Sequence, residues 1–291
     1  MNEHFAVEPT ACASAAELRH LLEKFGPYTG RYIASFPASW VKAVRDAAVE
    51  WTDVERMRAS VLLQRAEERY AVVWRRDLKF DKSKNWLQNL KATQSREKPF
   101  SGAVVARENC ETDLPSIDDF EPAPTADEVV AGLPKEYARV SGTLLTLSPE
   151  VTLIDPYLDP VRNDRREVLF ELLRAAKSGR CTRFRIYARA AEMSSQGSIE
   201  RTLRDLLRKA AGPVKEFEVN LVEDARSSEK LHARYLLSLR GALRFDQGFQ
   251  TLPAGRKADI SVVGQGVHGA LVERFLEGGH GLEVMSRLVI R

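Results

Sequence analysis

The chain has 291 residues, 44% of them apolar and 29% charged, and a formal net charge of +3. That length and balance suit a globular chain of one large domain or two ordinary ones, and the mild charge permits an anionic partner without demanding one. No run reaches about 18 apolar residues, which excludes a hydrophobic membrane-spanning helix, and Cys12, Cys110 and Cys181 are too few and too scattered for a metal motif or a disulfide framework.

The first twenty residues include acidic side chains and lack a long apolar core, so they do not read as a signal peptide. A cytoplasmic, reducing setting is expected. Ala13–Lys24 reads as a first helix with Ala16, Leu18, Leu21 and Leu22 as its apolar set, stopped by Gly26-Pro27. Gly30–Phe36 reads as a strand or an extended connector. A second helix opens at Pro37-Ala38-Ser39 and runs to about Glu50, with Trp40, Val41, Val44 and Ala48 on one side. Thr52-Asp53-Val54-Glu55 is a capping-box signature. The helix behind it has Val54, Met57, Val61, Leu62, Ala66 and Tyr70 at helical spacing.

From Trp74 to Lys98 the chain turns basic. Arg75, Arg76, Lys79, Lys82 and Lys84 are interleaved with Trp74, Phe80 and Trp86, a pattern that suits phosphate contacts and base stacking. A packed helical domain with a solvated basic face explains the same residues, and Trp86 reads as a core anchor. Ser101–Ala106 reads as a short strand. Residues 1–107 are therefore predicted to be a mainly helical domain. Residues 108–128 carry eight acidic residues, no basic one and three prolines, which predicts a solvated linker. Two other readings of it are a cover over the basic segment and a metal site at Asp118, Asp119 and Glu121. Neither is preferred, because a Pro-rich coil supplies no fixed frame.

Residues 129–291 alternate strands with helices, which predicts an α/β layer fold. Residues 126–147 fit helix or strand. Val151–Ile154 reads as a buried strand and Asn163–Lys177 as a helix with Val168, Leu169, Leu172 and Leu173 inward. Phe184–Tyr187 and Phe217–Val222 read as strands around a helix, Ile199–Ala211. Tyr235–Leu237 and Ala242–Phe245 read as a hairpin. Ile260–Val263, Val267–Phe275 and Leu282–Val289 read as strand, helix and strand. The hairpin requires an antiparallel part, so the sheet is predicted to be mixed. No GxGxxG follows the first strand, which argues against a dinucleotide site.

Asp155 closes the strand Val151–Ile154, and a carboxylate at the carboxyl end of a buried strand sits where open α/β sheets hold their chemistry. Lys230, His232 and Arg234 alternate as the chain enters the hairpin, so all three can share a face. His232 can attack phosphorus or take a proton from water. Arg234 can hold two phosphate oxygens, and Asp155 can orient the imidazole. Asp246 and Gln247 can add polar contacts at the hairpin exit. The bland alternatives are a structural histidine and an Arg234 ion pair with Asp155 or Asp246 that ties the sheet together.

At the motifs Asp155-Pro156-Tyr157 and Leu231-His232-Ala233-Arg234-Tyr235 the C-terminal half resembles the phospholipase D superfamily. The likeness is to a divergent branch with a DPY strand end, an LHxRY strand and a Gly-containing hairpin. That branch includes the phosphoinositide-binding C-terminal domain of a eukaryotic MIT-domain protein and bacterial proteins with a helical N-terminal region. The resemblance covers about residues 136–291. It implies a mixed-sheet α/β sandwich and pairing of two such units, so a homodimer is expected. In active members the His is the nucleophile, a Lys two residues on binds phosphate, and an Asp follows seven residues after the His. Here Arg234 stands at the Lys position and Leu239 at the Asp position. No second HxK motif occurs, and His268 and His280 are weaker candidates for a second histidine. Arg clamps phosphate but does not readily donate a proton.

Two functions follow. One is a phosphate-recognising module that binds nucleic acid or another phosphorylated partner, with classical turnover lost or altered. The other is a homodimeric, metal-independent nuclease or phosphodiesterase with His232 as nucleophile. The first is preferred. No metal or cofactor and no stable membrane insertion are expected. A bacterial setting, in defence against foreign DNA, suits either reading on the strength of the resemblance.

Overall fold

The computed structural model describes residues 3–75, 77–111, 113–122, 127–223, 226–228, 230–279 and 281–291, with backbone only at Glu97 and Ser178. Arg76 and His280, two of the candidate residues, lie outside the described residues. The chain divides into two compact units, Asn2–Thr125 and Ala126–Arg291.

The first unit alternates strands and helices. β1 (Glu3–Val7), α1 (Ala15–Glu23), β2 (Arg31–Ala34), α2 (Trp40–Ala47), α3 (Asp53–Glu68), β3 (Val72–Val73), α4 (Trp86–Glu97) and β4 (Gly102–Val104) follow in order. The four strands form a parallel sheet in the order β3-β2-β1-β4. The expected helices are present, but they pack on a sheet, so the unit is α/β and not simply helical. Of its strands, β2 and β4 fall inside stretches that read as strands, whereas β1 was not anticipated. The helix starts follow their chemistry. Thr52 Oγ1 accepts from Glu55 N and Glu55 accepts in return from Thr52 N, both at 3.4 Å, which is the expected capping box. Asn85 and Gln88 form a second one ahead of Trp86. Trp86 is buried and its indole N–H donates to the Phe36 carbonyl at 2.8 Å, so it anchors the core.

Two expectations are corrected here. The inner face of α3 is Ala59, Leu63 and Ala66, whereas Val54, Met57 and Val61 are exposed. Both stripes have helical spacing. The smaller residues face inward because α1 packs closely against them, through Leu18, Leu21 and Leu22 in the same core cluster. The acidic stretch is not a free linker as far as Glu121. Ile117 and Phe120 are buried in the first unit, and Phe120 stacks at 5.7 Å from Phe25. Arg107 pairs with Asp118 and Glu17, Lys24 with Glu121, and Lys91 with Glu111. Two apolar anchors and these pairs outweigh the polar composition. The acidic side chains meet Lys91 of α4, Arg107 and Lys24 just after α1, and Asp119 accepts from Ser116 Oγ at 2.9 Å.

The second unit holds β5 (Glu128–Ala131), α5 (Pro134–Leu147), β6 (Glu150–Ile154), α6 (Asn163–Ala175), β7 (Arg183–Arg189), α7 (Gln196–Ala210) and β8 (Glu216–Val222). β9 (Tyr235–Ser238), β10 (Gly241–Phe245), β11 (Lys257–Val262), α8 (Gln265–Phe275) and β12 (Val284–Ile290) complete it. The eight strands form one mixed sheet in the order β12-β8-β7-β6-β9-β10-β11-β5. β6, β7 and β8 run parallel, and every other pairing is antiparallel. The ambiguous stretch 126–147 resolves into β5 and α5, with Pro134 in the first helical turn, where its missing N–H costs nothing.

Strand alternation splits the side chains between the two faces. Val151, Leu153, Phe184, Ile186, Ala188, Phe217, Val219 and Leu221 bury against α5, α6 and α7. Ile154, Tyr187, Val222 and Leu237 lie on the other face, against Leu271 and Phe275 of α8. Beyond α8 that second face is ionic. Glu218, only 3% exposed, accepts from Arg185 Nε at 3.1 Å, Arg287 Nη2 at 2.7 Å and Asn220 Nδ2 at 3.1 Å. Burial opposes its charge, but those donors and the nearby arginines win, and its pKa is held below the ordinary glutamate value. Its contribution is therefore present at neutral pH and is lost as the pH falls through that lowered value. Glu218→Ala should cost about 2 kcal/mol at pH 7, since it leaves buried donors unpaired. Urea unfolding at pH 7 and pH 3 checks this, with the deficit expected to shrink at the lower pH. No helix among the described residues is long and apolar enough to cross a membrane.

Candidate functional site

β6 sits where the sheet changes direction, with parallel β7 on one side and antiparallel β9 on the other. The carboxyl ends of β6 and β7 therefore meet the start of β9 and the end of β10. Open sheets bind ligands at such a point. Asp155 follows β6 directly and is buried. Arg234 precedes β9 directly, and its Nε lies 3.8 Å from Asp155 Oδ1. Its Nη1 donates to the Asp246 carbonyl at 2.7 Å at the end of β10. Its Nε and Nη2 make no hydrogen bond to a described residue, and the side chain is 31% exposed. A guanidinium fixed at one nitrogen on a partly exposed side chain, with Nη2 not hydrogen-bonded to a described residue, is arranged to take an oxyanion.

Asp155 does not orient an imidazole. Oδ1 accepts from Tyr157 N at 2.9 Å and Oδ2 from Phe249 N at 3.0 Å, so the carboxylate spans two loops. It makes no hydrogen bond to His232. Burial pushes its pKa up, against the pull of those two amides, Arg234 and Arg165. Removing Arg234 takes away one stabilising charge, so Arg234→Ala should push the Asp155 pKa higher still. A carboxyl-carbon NMR titration reads this, and an unmoved Asp155 would mean that the two groups are not electrostatically coupled.

The loop that Asp155 holds is made by a glycine. Gly248 has φ +71°, and a Cβ there would lie 2.3 Å from Asp155 Oδ2 and 2.8 Å from Arg234 Cδ. Both the left-handed backbone and the close approach need glycine. Asp246 serves the same turn. Its Oδ1 accepts from Gln247 N at 2.6 Å and Asp259 N at 2.9 Å, and its Oδ2 accepts from Gln247 Nε2 at 3.0 Å. Asp246 and Gln247 thus bond to each other, and the side chain of Asp246 makes no ion pair with Arg234.

Two further residues join the site. Tyr157, at 37% exposure, has the Arg234 Cζ 5.6 Å and the Arg189 Cζ 5.4 Å from its ring centroid. Such cation–π contacts hold guanidinium planes in place. Arg189 ends β7, and its Nη2 donates to the Leu231 carbonyl at 3.1 Å, which ties the segment carrying His232 to the sheet. Arg165 stands behind them, donating to the Tyr157 carbonyl at 2.7 Å and to Gln250 at 3.0 Å. Asp159 fixes the far end of the Asp155 loop by accepting from Ser194 Oγ at 2.6 Å.

The strand begins only at Tyr235, so Lys230, His232 and Arg234 precede the ladder and strand alternation does not align them. Lys230 and His232 are exposed, and neither makes a hydrogen bond or ion pair with a described residue. His268 is buried, with its Nε2 donating to the Ser238 carbonyl at 2.8 Å, which makes it a structural residue. In the first unit, Arg75 pairs with Asp77 and Lys84 lies 3.3 Å from Asp81, while Lys79 and Lys82 are exposed.

No family model matches this chain. No curated protein matches it either. Among solved structures it is similar to TrmBL2, an archaeal chromatin protein described as showing a novel mode of DNA binding. That match has 13% identity, covers 94% of this chain and 100% of the other, and has a TM-score of 0.32.

Proposed function

We propose that residues 126–291 form a phospholipase D-like module that recognises a phosphate group at Arg234 and Arg189. The ligand class is nucleic acid or another phosphorylated partner, and the domain acts as a binder. The observation that carries this is the pair of guanidiniums set around Tyr157 at the carboxyl end of β6, with Arg234 Nη2 making no hydrogen bond to a described residue. The two motifs behind the family resemblance, the Asp155 strand end and the run into β9, are neighbours across the β6–β9 pairing, which supports that resemblance. Exposed Lys230 and His232 add positive or hydrogen-bonding groups near the entry to β9.

Binding is favoured over turnover because, among the described residues, no carboxylate bonds to His232: both Asp155 oxygens accept from backbone amides. Leu239, where active relatives carry an acid, is 69% exposed and contributes no charge. The turnover reading rests on His232 being exposed, which leaves room for a second copy to complete the chemistry.

The test is incubation of the purified chain with single- and double-stranded DNA and RNA, with and without chelator, across a salt series. The expected result is salt-sensitive retention of at least one nucleic acid without cleavage. His232→Ala should lower that affinity only a few-fold, of the order of one surface contact. Cleavage that survives chelation and vanishes in folded His232→Ala would establish the nuclease instead.

A further inference from the structure

α3 carries an apolar stripe that its own unit does not use. Val54, Met57 and Val61 are 58%, 71% and 47% exposed, and their spacing puts them on one side of the helix. Met57 and Val61, with Ala16 and Leu62, line an open groove of about 1280 Å³ between α1 and α3. That exceeds the roughly 300–1,000 Å³ of small-molecule sites, and α3 offers a straight edge of roughly 24 Å for a longer occupant.

Charge decides what the occupant is. Arg19, Arg58 and Arg65 line the groove as well. Arg58 and Arg65 make no ion pair with a described residue, while Asp53 is taken by Arg56 and Glu55 by the helix cap. The uncommitted charge beside the apolar stripe is thus positive. We propose that this groove binds an acidic amphipathic helix of a partner protein. Its apolar residues, spaced i, i+3 or i+4, and i+7, would cover Met57 and Val61, and its flanking carboxylates would meet Arg58 and Arg65. A nucleic acid satisfies the arginines but leaves the apolar stripe against phosphate. A second copy paired through the same face brings arginine against arginine. Met57 adds the adaptable, polarizable contact typical of helix-binding grooves.

The experiment pans a display library of helix-length random peptides on the full chain. Peptides that also bind a Met57→Asp/Val61→Asp double variant, checked for folding by circular dichroism, are discarded. The expected survivors are acidic and have helical apolar periodicity. Arg58→Glu/Arg65→Glu, which leaves the apolar stripe intact, should weaken the best of them by roughly tenfold or more. Survivors that are basic or aperiodic, or an undiminished affinity in the arginine variant, overturn the proposal. So does self-association of the wild type, seen by sedimentation and lost with Met57→Asp, or displacement of the peptide by a short DNA or RNA strand.

Discussion

Arg234→Ala should weaken retention of a nucleic acid or a phosphorylated ligand by roughly tenfold to a hundredfold, the cost of about 1.5–3 kcal/mol for losing hydrogen bonds from a charged donor. The effect is concentrated there because Arg234 is tied to all three walls of the site. Its Nη1 is fixed on the Asp246 carbonyl, its Nε stands 3.8 Å from Asp155, and its plane lies over Tyr157. Arg234→Lys keeps the charge but loses the planar fork, so it should recover only part of the affinity. Arg189→Ala should act in the same direction. It should also loosen the Leu231 carbonyl, and with it the segment that carries His232. Fluorescence anisotropy with a labelled oligonucleotide at fixed salt measures these changes. Equal affinity in wild type and Arg234→Ala would remove the guanidinium from the account.

Gly248→Ala should be a strongly damaging small substitution in the second unit. The added methyl would sit 2.3 Å from the Asp155 carboxylate on a backbone at φ +71°. Strain of this kind, with the displacement it forces, costs about 3 kcal/mol. The loop can escape only by releasing the Phe249 amide from Asp155 Oδ2, which moves Arg234 as well. Stability and affinity should therefore fall together and steeply, in contrast to Arg234→Ala, where the larger loss is in affinity and stability falls by the lost attraction to Asp155. Thermal unfolding and anisotropy on the same samples separate the two patterns. A Gly248→Ala chain that melts like wild type and binds like wild type would mean that the loop has another way to pack.

Much of this site could be read from the chain. The apolar run ending at Asp155 and the two short apolar runs around Arg240-Gly241 are local patterns of adjacent residues, and they became β6 and the β9–β10 hairpin. The stripe Val168, Leu169, Leu172, Leu173 became the buried side of α6 for the same reason. What escaped reading depends on register. Arg189 belongs to the site because Ile154 pairs with Tyr187 across two parallel strands, which sets residue 189 beside the Asp155 loop. Its position at the end of the strand Arg183–Arg189 was the available signal, and Tyr157 stood in plain sight beside Asp155. The role of Asp155 could not be guessed, because its partner amide is Phe249, 94 positions away.

The first unit was harder for a different reason. Its strands are short, β3 being only Val72–Val73, and they lie between long helices that dominate the pattern. On α3, periodicity pointed to the stripe from Val54 to Tyr70, whereas the buried residues are Ala59, Leu63 and Ala66. In the acidic stretch, composition hid Ile117 and Phe120, the two side chains that hold it down.

The most direct test of the phosphate site is an NMR titration of the intact chain that follows the arginine side-chain N–H signals as inorganic phosphate and then a short oligonucleotide are added. The Arg234 and Arg189 signals should shift first and saturate together, and in Arg234→Ala the remaining Arg189 signal should respond only at higher ligand concentration. Shifts confined to arginines of the first unit, such as Arg75, with Arg234 and Arg189 silent, would contradict the phosphate site.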